Sequence, residues 1–154
     1  MALFFLDTSA IVKRYVVEPG HLWVRGLCDP ANANDLVLAE TALIEVIATL
    51  CRKARETAIN EAERDRLIGE FDIDVQSGYV LRVVTRDVYA RAGTLCKGHA
   101  LRAYDAIQLA SALMIRDDAV ASGAAGPTFV TADINLLAFA LSEGLPVENP
   151  NNYP

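Results

Sequence analysis

Short apolar runs that end in polar turn residues recur along the chain, and the first of them sets the pattern. Residues 2–6 are apolar without a break, as in a strand that is buried on both faces in the centre of a parallel sheet. Asp7 follows at once, and a helical pattern begins at Ala10, with Thr8 and Ser9 as natural N-caps. Asp7 is therefore predicted at the carboxyl end of a central strand, where open α/β sheets bind ligands. A turn or capping role is the structural alternative for this residue.

Strand-like and helix-like segments then alternate to the end of the chain. The predicted strands are residues 2–6, 36–39, 79–85, 128–131 and 145–147. The predicted helices are residues 10–17, 21–28, 40–55, 57–76, 86–97, 101–113 and 134–142. This alternation is typical of an α/β fold with a parallel sheet. The length of 154 residues is that of one domain, so we expect residues 1–154 to form a single domain.

The composition narrows the class of protein. A hydrophobic fraction of 53% with only 7% aromatic residues indicates an aliphatic α/β protein. No apolar run approaches ~18 residues, and no basic segment with a cleavage site follows Met1, so we expect neither a membrane span nor a signal peptide. Cys28, Cys51 and Cys96 are widely spaced, which favours reduced, mostly buried thiols in a cytoplasmic protein over disulfides or a zinc site.

The charge is acidic overall and unevenly distributed. The net charge is −6, and every Lys and Arg lies between Lys13 and Arg116. Any contact with a polyanion must therefore come from this earlier part of the chain. The candidate basic residues are Lys13, Arg14, Arg25, Arg52, Lys53, Arg82, Arg86 and Arg102.

The most highly charged segment is the predicted helix 57–76. Its apolar side is predicted to consist of Ala62, Leu67, Ile68 and Phe71. Its acidic residues are expected to form a solvated face and loop rather than a site. These residues are Glu61, Glu63, Glu70, Asp72 and Asp74.

Three further carboxylates occupy positions comparable to that of Asp7. Glu45 lies early in the helix 40–55, on the flank of its apolar stripe, and a solvated helix flank is the structural alternative. Asp105 lies in the first turn of the helix 101–113, where the helix dipole alone favours a carboxylate by about 0.3–1 kcal/mol. Asp133 follows the strand 128–131 after one residue, Ala132, and precedes a helix, which repeats the arrangement at Asp7.

In a parallel sheet these four carboxylates would meet at one edge, because the carboxyl ends of the strands and the following helix N-termini gather there. Four carboxylates in one cleft repel each other and raise one another's pKa values. A hard divalent cation with oxygen ligands, Mg²⁺ or Mn²⁺, would keep them ionised. Such an ion can activate water and stabilise the charge on a phosphate under attack.

The same residues carry a resemblance to a known family. Residues 5–10, 43–46, 104–110 and 130–133 resemble the four acidic motifs of PIN-domain ribonucleases. The chain is most similar to the VapC toxins of bacterial and archaeal toxin–antitoxin pairs. The resemblance covers nearly the whole chain, with the motifs in order and at compatible spacing.

The resemblance implies a three-layer α/β/α domain with a central parallel sheet in strand order 3-2-1-4-5. It also implies that Asp7, Glu45, Asp105 and Asp133 surround Mg²⁺, with Mn²⁺ as a substitute. Ser9 and Thr131 match polar positions beside this quartet and could donate hydrogen bonds to it. The expected partners are an RNA substrate, a second copy of the chain, and an antitoxin whose basic tail suits an acidic cleft.

Other classes are less consistent with the residues. A haloacid dehalogenase needs a second Asp two residues after the first, where this chain has Ser9. A receiver domain needs a Lys after a late strand, and no Lys follows Lys97. A PIN-like module that binds a partner without catalysis remains an alternative, although such sites usually lose one or more of the acids.

Overall fold

A five-stranded parallel sheet organises the chain in the computed structural model, which describes residues 1–154. The strands are β1 (Leu3–Leu6), β2 (Asp35–Ala39), β3 (Val80–Arg82), β4 (Thr128–Val130) and β5 (Val147–Glu148). The α-helices are α1 (Thr8–Tyr15), α2 (His21–Leu27), α3 (Ala42–Arg55), α4 (Glu61–Ser77), α5 (Arg86–Gly98), α6 (Ala103–Ala121) and α7 (Ile134–Ser142). Short 3₁₀ helices lie at Pro30–Asn32 and Pro150–Asn152.

The strand order is β3-β2-β1-β4-β5, as the resemblance implies, and the fold is a three-layer α/β/α arrangement. β1 is central and pairs with both β2 and β4. After β1 the chain builds the sheet outward through β2 and β3, and later strands extend it on the other side. The switch point therefore lies at the carboxyl ends of β1 and β4, which is where ligand crevices form in open α/β sheets.

Helices on both faces of the sheet bury its central strand, and the core is divided accordingly. Phe5 and Leu6 are both fully buried but belong to different clusters, because successive strand residues point to opposite faces. The cluster around Leu6 includes Phe71 of α4, and the cluster around Phe5 includes Phe129 of β4. The two rings of Phe5 and Phe129 stack with centroids 5.6 Å apart. The prediction of a strand buried on both faces is confirmed.

Several boundaries and burial predictions need correction. α1 begins at Thr8 because Asp7, rather than Thr8 or Ser9, is its N-cap. β3 is shorter than predicted, and Ala62 is exposed rather than part of the apolar side of α4. All three cysteines are free thiols, but only Cys28 is buried, while Cys51 is intermediate and Cys96 is exposed. None of the helices has the length and apolar content that crossing a lipid bilayer requires.

The acidic face predicted for α4 is also wrong at one position. Asp74 lies within the helix and forms an ion pair with Arg14 of α1, at 2.9 Å between its Oδ1 and the guanidinium. Its Oδ2 accepts a hydrogen bond from the Tyr15 hydroxyl at 2.8 Å. The Arg14 guanidinium also donates to the Tyr79 hydroxyl at 2.6 Å. These four side chains are called the α1–α4 cluster below, and they tie α1 to α4.

Candidate active site

Asp7 connects the end of β1 to the start of α1. Its Oδ1 accepts hydrogen bonds from the Ala10 backbone N–H at 3.0 Å and from the Ser9 hydroxyl at 2.7 Å. Its Oδ2 accepts one from the Thr131 hydroxyl at 3.0 Å. The residue is only 4% exposed. Asp7 is therefore the N-cap of α1, which is the structural role expected as an alternative. It is also a buried carboxylate that forms no salt bridge with a Lys or Arg side chain.

Burial dominates the electrostatics of Asp7. It raises the pKa of the carboxyl to about 6, against hydrogen bonds from Ser9, Ala10 and Thr131 that lower it, and the charge of Asp105 raises it further. Desolvation disfavours the charged form, and no neighbouring cation offsets this effect. An anion held in this way at neutral pH favours the approach of a positive charge.

Ser9 and Thr131 link the ends of β1 and β4 around Asp7. Their hydroxyl oxygens lie 3.2 Å apart. The Ser9 hydroxyl accepts from the Ala132 backbone N–H at 2.8 Å, and the Thr131 hydroxyl accepts from the Asp133 backbone N–H at 3.1 Å. Because each hydroxyl accepts from the backbone, its own proton is available for the Asp7 carboxylate. Both residues thus lie beside Asp7, as the resemblance implies.

Asp133 repeats the arrangement of Asp7 at the end of the neighbouring strand. It is the N-cap of α7, and its Oδ1 accepts from the backbone N–H groups of Asn135 and Leu136 at 2.8 and 3.0 Å. Its side chain is exposed, and Oδ2 accepts no hydrogen bond. One carboxylate oxygen therefore holds the helix while the other remains available.

Glu45 and Asp105 lie in the first turns of α3 and α6. The Oε1 of Glu45 accepts a hydrogen bond from the Gln108 amide at 2.8 Å, whereas the carboxylate of Asp105 accepts none. Burial raises the pKa of Glu45, against the hydrogen bond from Gln108, and Asp105 raises it further. Burial also raises the pKa of Asp105, and Asp133 adds to that rise while Arg102 opposes it.

Gln108 is a site residue whose role the sequence pattern does not reveal. It is 1% exposed, and its amide nitrogen lies 2.8 Å from Glu45 and 3.3 Å from the Thr8 hydroxyl. Its own carbonyl oxygen has no hydrogen-bond partner. The available signal was a polar side chain within the apolar stretch of α6, since buried amides need partners. The partner Glu45 lies 63 residues away, which local periodicity cannot reveal.

All four predicted carboxylates line one cavity of about 340 Å³ at the carboxyl edge of the sheet. The basic residues that share its wall are Lys13, Arg52, Lys53 and Arg102. The other candidate basic residues do not line it: Arg14 and Arg25 line a separate cavity, Arg82 pairs with Asp118, and Arg86 begins α5. The predicted convergence of the carboxylates is confirmed, and half of the basic candidates accompany them.

The donor set fits a hard divalent cation of a particular kind. No group of three or more His, Cys, Asp or Glu side chains is arranged closely enough to hold an ion by itself. Mg²⁺, however, commonly uses one or two carboxylates and keeps several waters. Asp105 couples electrostatically to Asp7, Glu45 and Asp133, and its carboxylate is free of hydrogen bonds. The arrangement therefore suits an ion held by few direct protein ligands.

Comparison with known proteins agrees with this geometry. The PIN domain family matches residues 4–140. The chain is 32% identical over 120 residues to Ribonuclease VapC45 of Mycobacterium tuberculosis, covering 76% of this chain and 79% of that protein. The chain therefore belongs to the PIN domain family, and within it to the VapC type.

Solved structures share the fold at low sequence identity. FitAcB from Neisseria gonorrhoeae aligns with a TM-score of 0.65 and 17% identity, covering 96% of this chain and 97% of that one. A toxin–antitoxin complex from Klebsiella pneumoniae aligns with a TM-score of 0.62 and 16% identity, again covering 96% and 97%. At these identities the comparison shows a shared fold, over nearly the whole chain, and nothing more.

Proposed function

We propose that this chain is an endoribonuclease and the toxin of a toxin–antitoxin pair, which hydrolyses RNA phosphodiesters with Mg²⁺ or Mn²⁺. The observation that carries the proposal is the cavity that Asp7, Glu45, Asp105 and Asp133 line together, with the Asp7 carboxylate held only by neutral hydrogen-bond donors. The name of the relative Ribonuclease VapC45 supports the activity, and the Klebsiella toxin–antitoxin complex supports the biological role.

The proposed roles follow from what each carboxylate contacts. Asp105, free of hydrogen bonds, would be the main direct ligand of the ion. Asp133 would contribute its Oδ2, which accepts no hydrogen bond, and Asp7 its Oδ2, which accepts only from the Thr131 hydroxyl. Ser9 and Thr131 hold Asp7 in place. When bound, the ion supplies positive charge to the phosphate and lowers the pKa of a coordinated water.

Glu45 has a different part in this scheme. Gln108 donates to its Oε1, and we assign to Oε2 the proton of the attacking water. Burial raises the pKa of Glu45 above the ordinary value, and a raised pKa improves a carboxylate as a general base. Loss of Gln108 should therefore weaken cleavage through Glu45.

The proposal extends to partners and to the whole chain. We propose a single PIN domain over residues 1–154 that acts in the cytoplasm, where its RNA is found, and that a cognate antitoxin inhibits by placing a basic tail in the acidic cavity. We also propose a homodimer, and exposed apolar side chains such as Ile44, Val83 and Tyr104 offer surface for one. Light scattering on the purified chain would contradict the dimer if the mass were that of one copy.

The direct test is cleavage of a mixed pool of structured RNAs. The wild type should cleave with Mg²⁺ or Mn²⁺ and not with EDTA, while Asp105→Asn should be inactive. Asp72→Asn is the matched control, because Asp72 is exposed on α4 and forms no ion pair. Equal cleavage by the wild type and Asp105→Asn would indicate a contaminating nuclease. A folded wild type that never cleaves would favour a non-catalytic partner module.

The toxin role has its own test in a bacterial host. Induction of the wild type alone should arrest growth, and Asp7→Asn should not. Co-expression with the neighbouring gene product should relieve the arrest and yield a stable complex, whose affinity falls with salt. Growth at the normal rate with a soluble, folded wild type would contradict the toxin role.

A further inference from the structure

The cavity that holds the four carboxylates also has a cationic end. On α1, Ser9 and Lys13 are four residues apart and share a helix face, and both line the cavity. On α3, Glu45 and Lys53 likewise lie on one face, since they are eight residues apart. At 1.5 Å per residue, this spacing places Lys53 about 12 Å from Glu45 along the axis of α3. The two helices thus lead from the carboxylates to a pair of lysines.

A single carboxylate holds both lysines. The Nζ of Lys13 donates to Oε1 of Glu18 at 3.1 Å, and the Nζ of Lys53 donates to Oε2 of Glu18 at 2.8 Å. The side chain of Lys13 is only 6% exposed, that of Lys53 is 20% exposed, and that of Glu18 is 24% exposed. Burial alone would raise the pKa of Glu18, but the hydrogen bonds from Lys53 and Lys13 outweigh it and lower the pKa.

The charges and donors of this trio are not fully matched. Two ammonium groups face one carboxylate, which leaves a net charge of +1 on partly buried groups. Each ammonium has three N–H donors and uses one of them on Glu18, so that four donors remain. An ion pair that only joined α3 to the segment between α1 and α2, where Glu18 lies, would need one lysine. Desolvating a second lysine costs free energy unless an anion meets it.

We infer that Lys13 and Lys53, bridged by Glu18, bind a backbone phosphate of the same RNA strand, at a distance from the phosphate that is cleaved. This inference rests on the proposed function. A nucleic acid strand carries phosphates at regular intervals, so one can reach the carboxylate end while another reaches the lysines. An acidic peptide would also meet the lysines, but it offers nothing for the carboxylate end of the same cavity.

The test is a binding measurement in EDTA, so that binding is separated from cleavage. Labelled, mixed-sequence single-stranded RNA is titrated with the wild type, Lys53→Gln and Lys13→Gln at several salt concentrations. Loss of one phosphate contact should lower the slope of log K against log[salt] by about 0.7 and weaken binding several-fold. Lys97→Gln is the control for the loss of one charge, because Lys97 is exposed and lies outside the cavity.

Lys13 is buried, so Lys13→Gln is informative only if its circular dichroism and melting match the wild type. Lys53→Gln and Lys53→Arg keep the inference testable, and Lys53→Arg should retain most of the slope. With Mg²⁺, Lys53→Gln should raise KM several-fold with kcat within about twofold, because the contacted phosphate does not react.

Two results would overturn the inference. One is a Lys53→Gln slope equal to those of the wild type and Lys97→Gln. The other is a lysine variant that loses affinity for a purified antitoxin but keeps its affinity for RNA. RNA binding with the expected slope but no cleavage in Mg²⁺ would support the phosphate site and reject the nuclease. Cleavage by the wild type, together with a salt slope that Lys53→Gln leaves unchanged, would support the nuclease and reject the phosphate site.

Discussion

Two polar clusters are buried against α1, and they differ in how their charges are matched. In the α1–α4 cluster, the Asp74 carboxylate meets the Arg14 guanidinium and the Tyr15 hydroxyl, and the hydroxyls of Tyr15 and Tyr79 lie 2.8 Å apart. Burial raises the pKa values of both tyrosines, which therefore remain neutral hydroxyls. Every charge of the cluster has an opposite charge in contact.

The carboxylate cavity is arranged in the opposite way. Asp7 receives hydrogen bonds only from neutral donors, and Asp105 receives none. Burial is the main cause of the raised pKa values of Asp7 and Glu45, and repulsion from Asp105 adds to both. A cavity of about 510 Å³ beside the α1–α4 cluster is larger than the carboxylate cavity, so size alone does not mark the site. Unmatched charge in an accessible cavity is the more informative signal.

The largest expected difference between the clusters is in catalysis. Asp7→Asn, Asp105→Asn and Glu45→Gln should each lower metal-dependent RNA cleavage by orders of magnitude, because each removes an anion from the cavity without changing side-chain size. The fold should persist, and in Asp7→Asn the new Asn is itself a good N-cap. Cleavage rates of purified variants give the measurement. Glu63→Gln and Asp74→Asn should stay within about twofold of the wild type, and wild-type rates in Asp105→Asn would reject the site.

The free energy of unfolding should be affected more by a substitution in the α1–α4 cluster than by one in the carboxylate cavity. Asp74→Asn leaves the Arg14 guanidinium without an anion, and both side chains are 23% exposed. The expected loss in the free energy of unfolding is about 1–3 kcal/mol, less than for a fully buried pair. Urea unfolding gives the value, with Asp72→Asn as the control two positions along the same helix. If both variants were equally stable, the α1–α4 cluster would have no structural role.

The pH dependence of stability should come mainly from Asp7. Its folded-state pKa, about 6, lies above the unfolded value of 3.8, so the folded state binds more protons between these values. Stability in EDTA should therefore rise as pH falls through about 6 and level off near 4. Between about pH 7 and pH 5 the gain should be roughly 1 kcal/mol. Asp7→Asn should lose most of this gain, while Glu45 and Asp105, whose pKa values are also raised, supply the remainder. An equal gain in both proteins would assign it to another group.

The smallest expected effect is that of removing one repelling charge. Asp105→Asn should raise the Tm in EDTA by an amount equivalent to less than about 1 kcal/mol, because Asp105 is only half-buried. Mg²⁺ at about ten times its Kd should stabilise the wild type by roughly 1.4 kcal/mol and the variant by less. Melting curves with and without Mg²⁺ provide the comparison. A lower Tm in EDTA, with equal shifts by Mg²⁺, would make Asp105 a helix-start residue only.

The sequence by itself determined which segments form strands and helices and which of their faces are buried. The unbroken apolar run 2–6 requires burial on both faces, and Phe5 and Leu6 are fully buried. Ala106 and Leu113, seven residues apart on one face of α6, are buried as well. Asp7 follows β1 directly and Asp133 follows β4 after two residues, so a parallel sheet must bring them to one edge. Local pattern encodes these features because strand and helix periodicity decide which face of an element is buried.

Only the tertiary structure decided which polar groups meet. Asp74 resembles its acidic neighbours on α4, and only the packing of α4 against α1 brings it to Arg14. Gln108 donates to Glu45, which lies 63 residues earlier in the chain. Glu18 binds Lys13 and also Lys53, which lies 35 residues after Glu18. These contacts depend on how helices sit on the sheet relative to one another. A helical period fixes the face of a residue but not the partner that the face will meet.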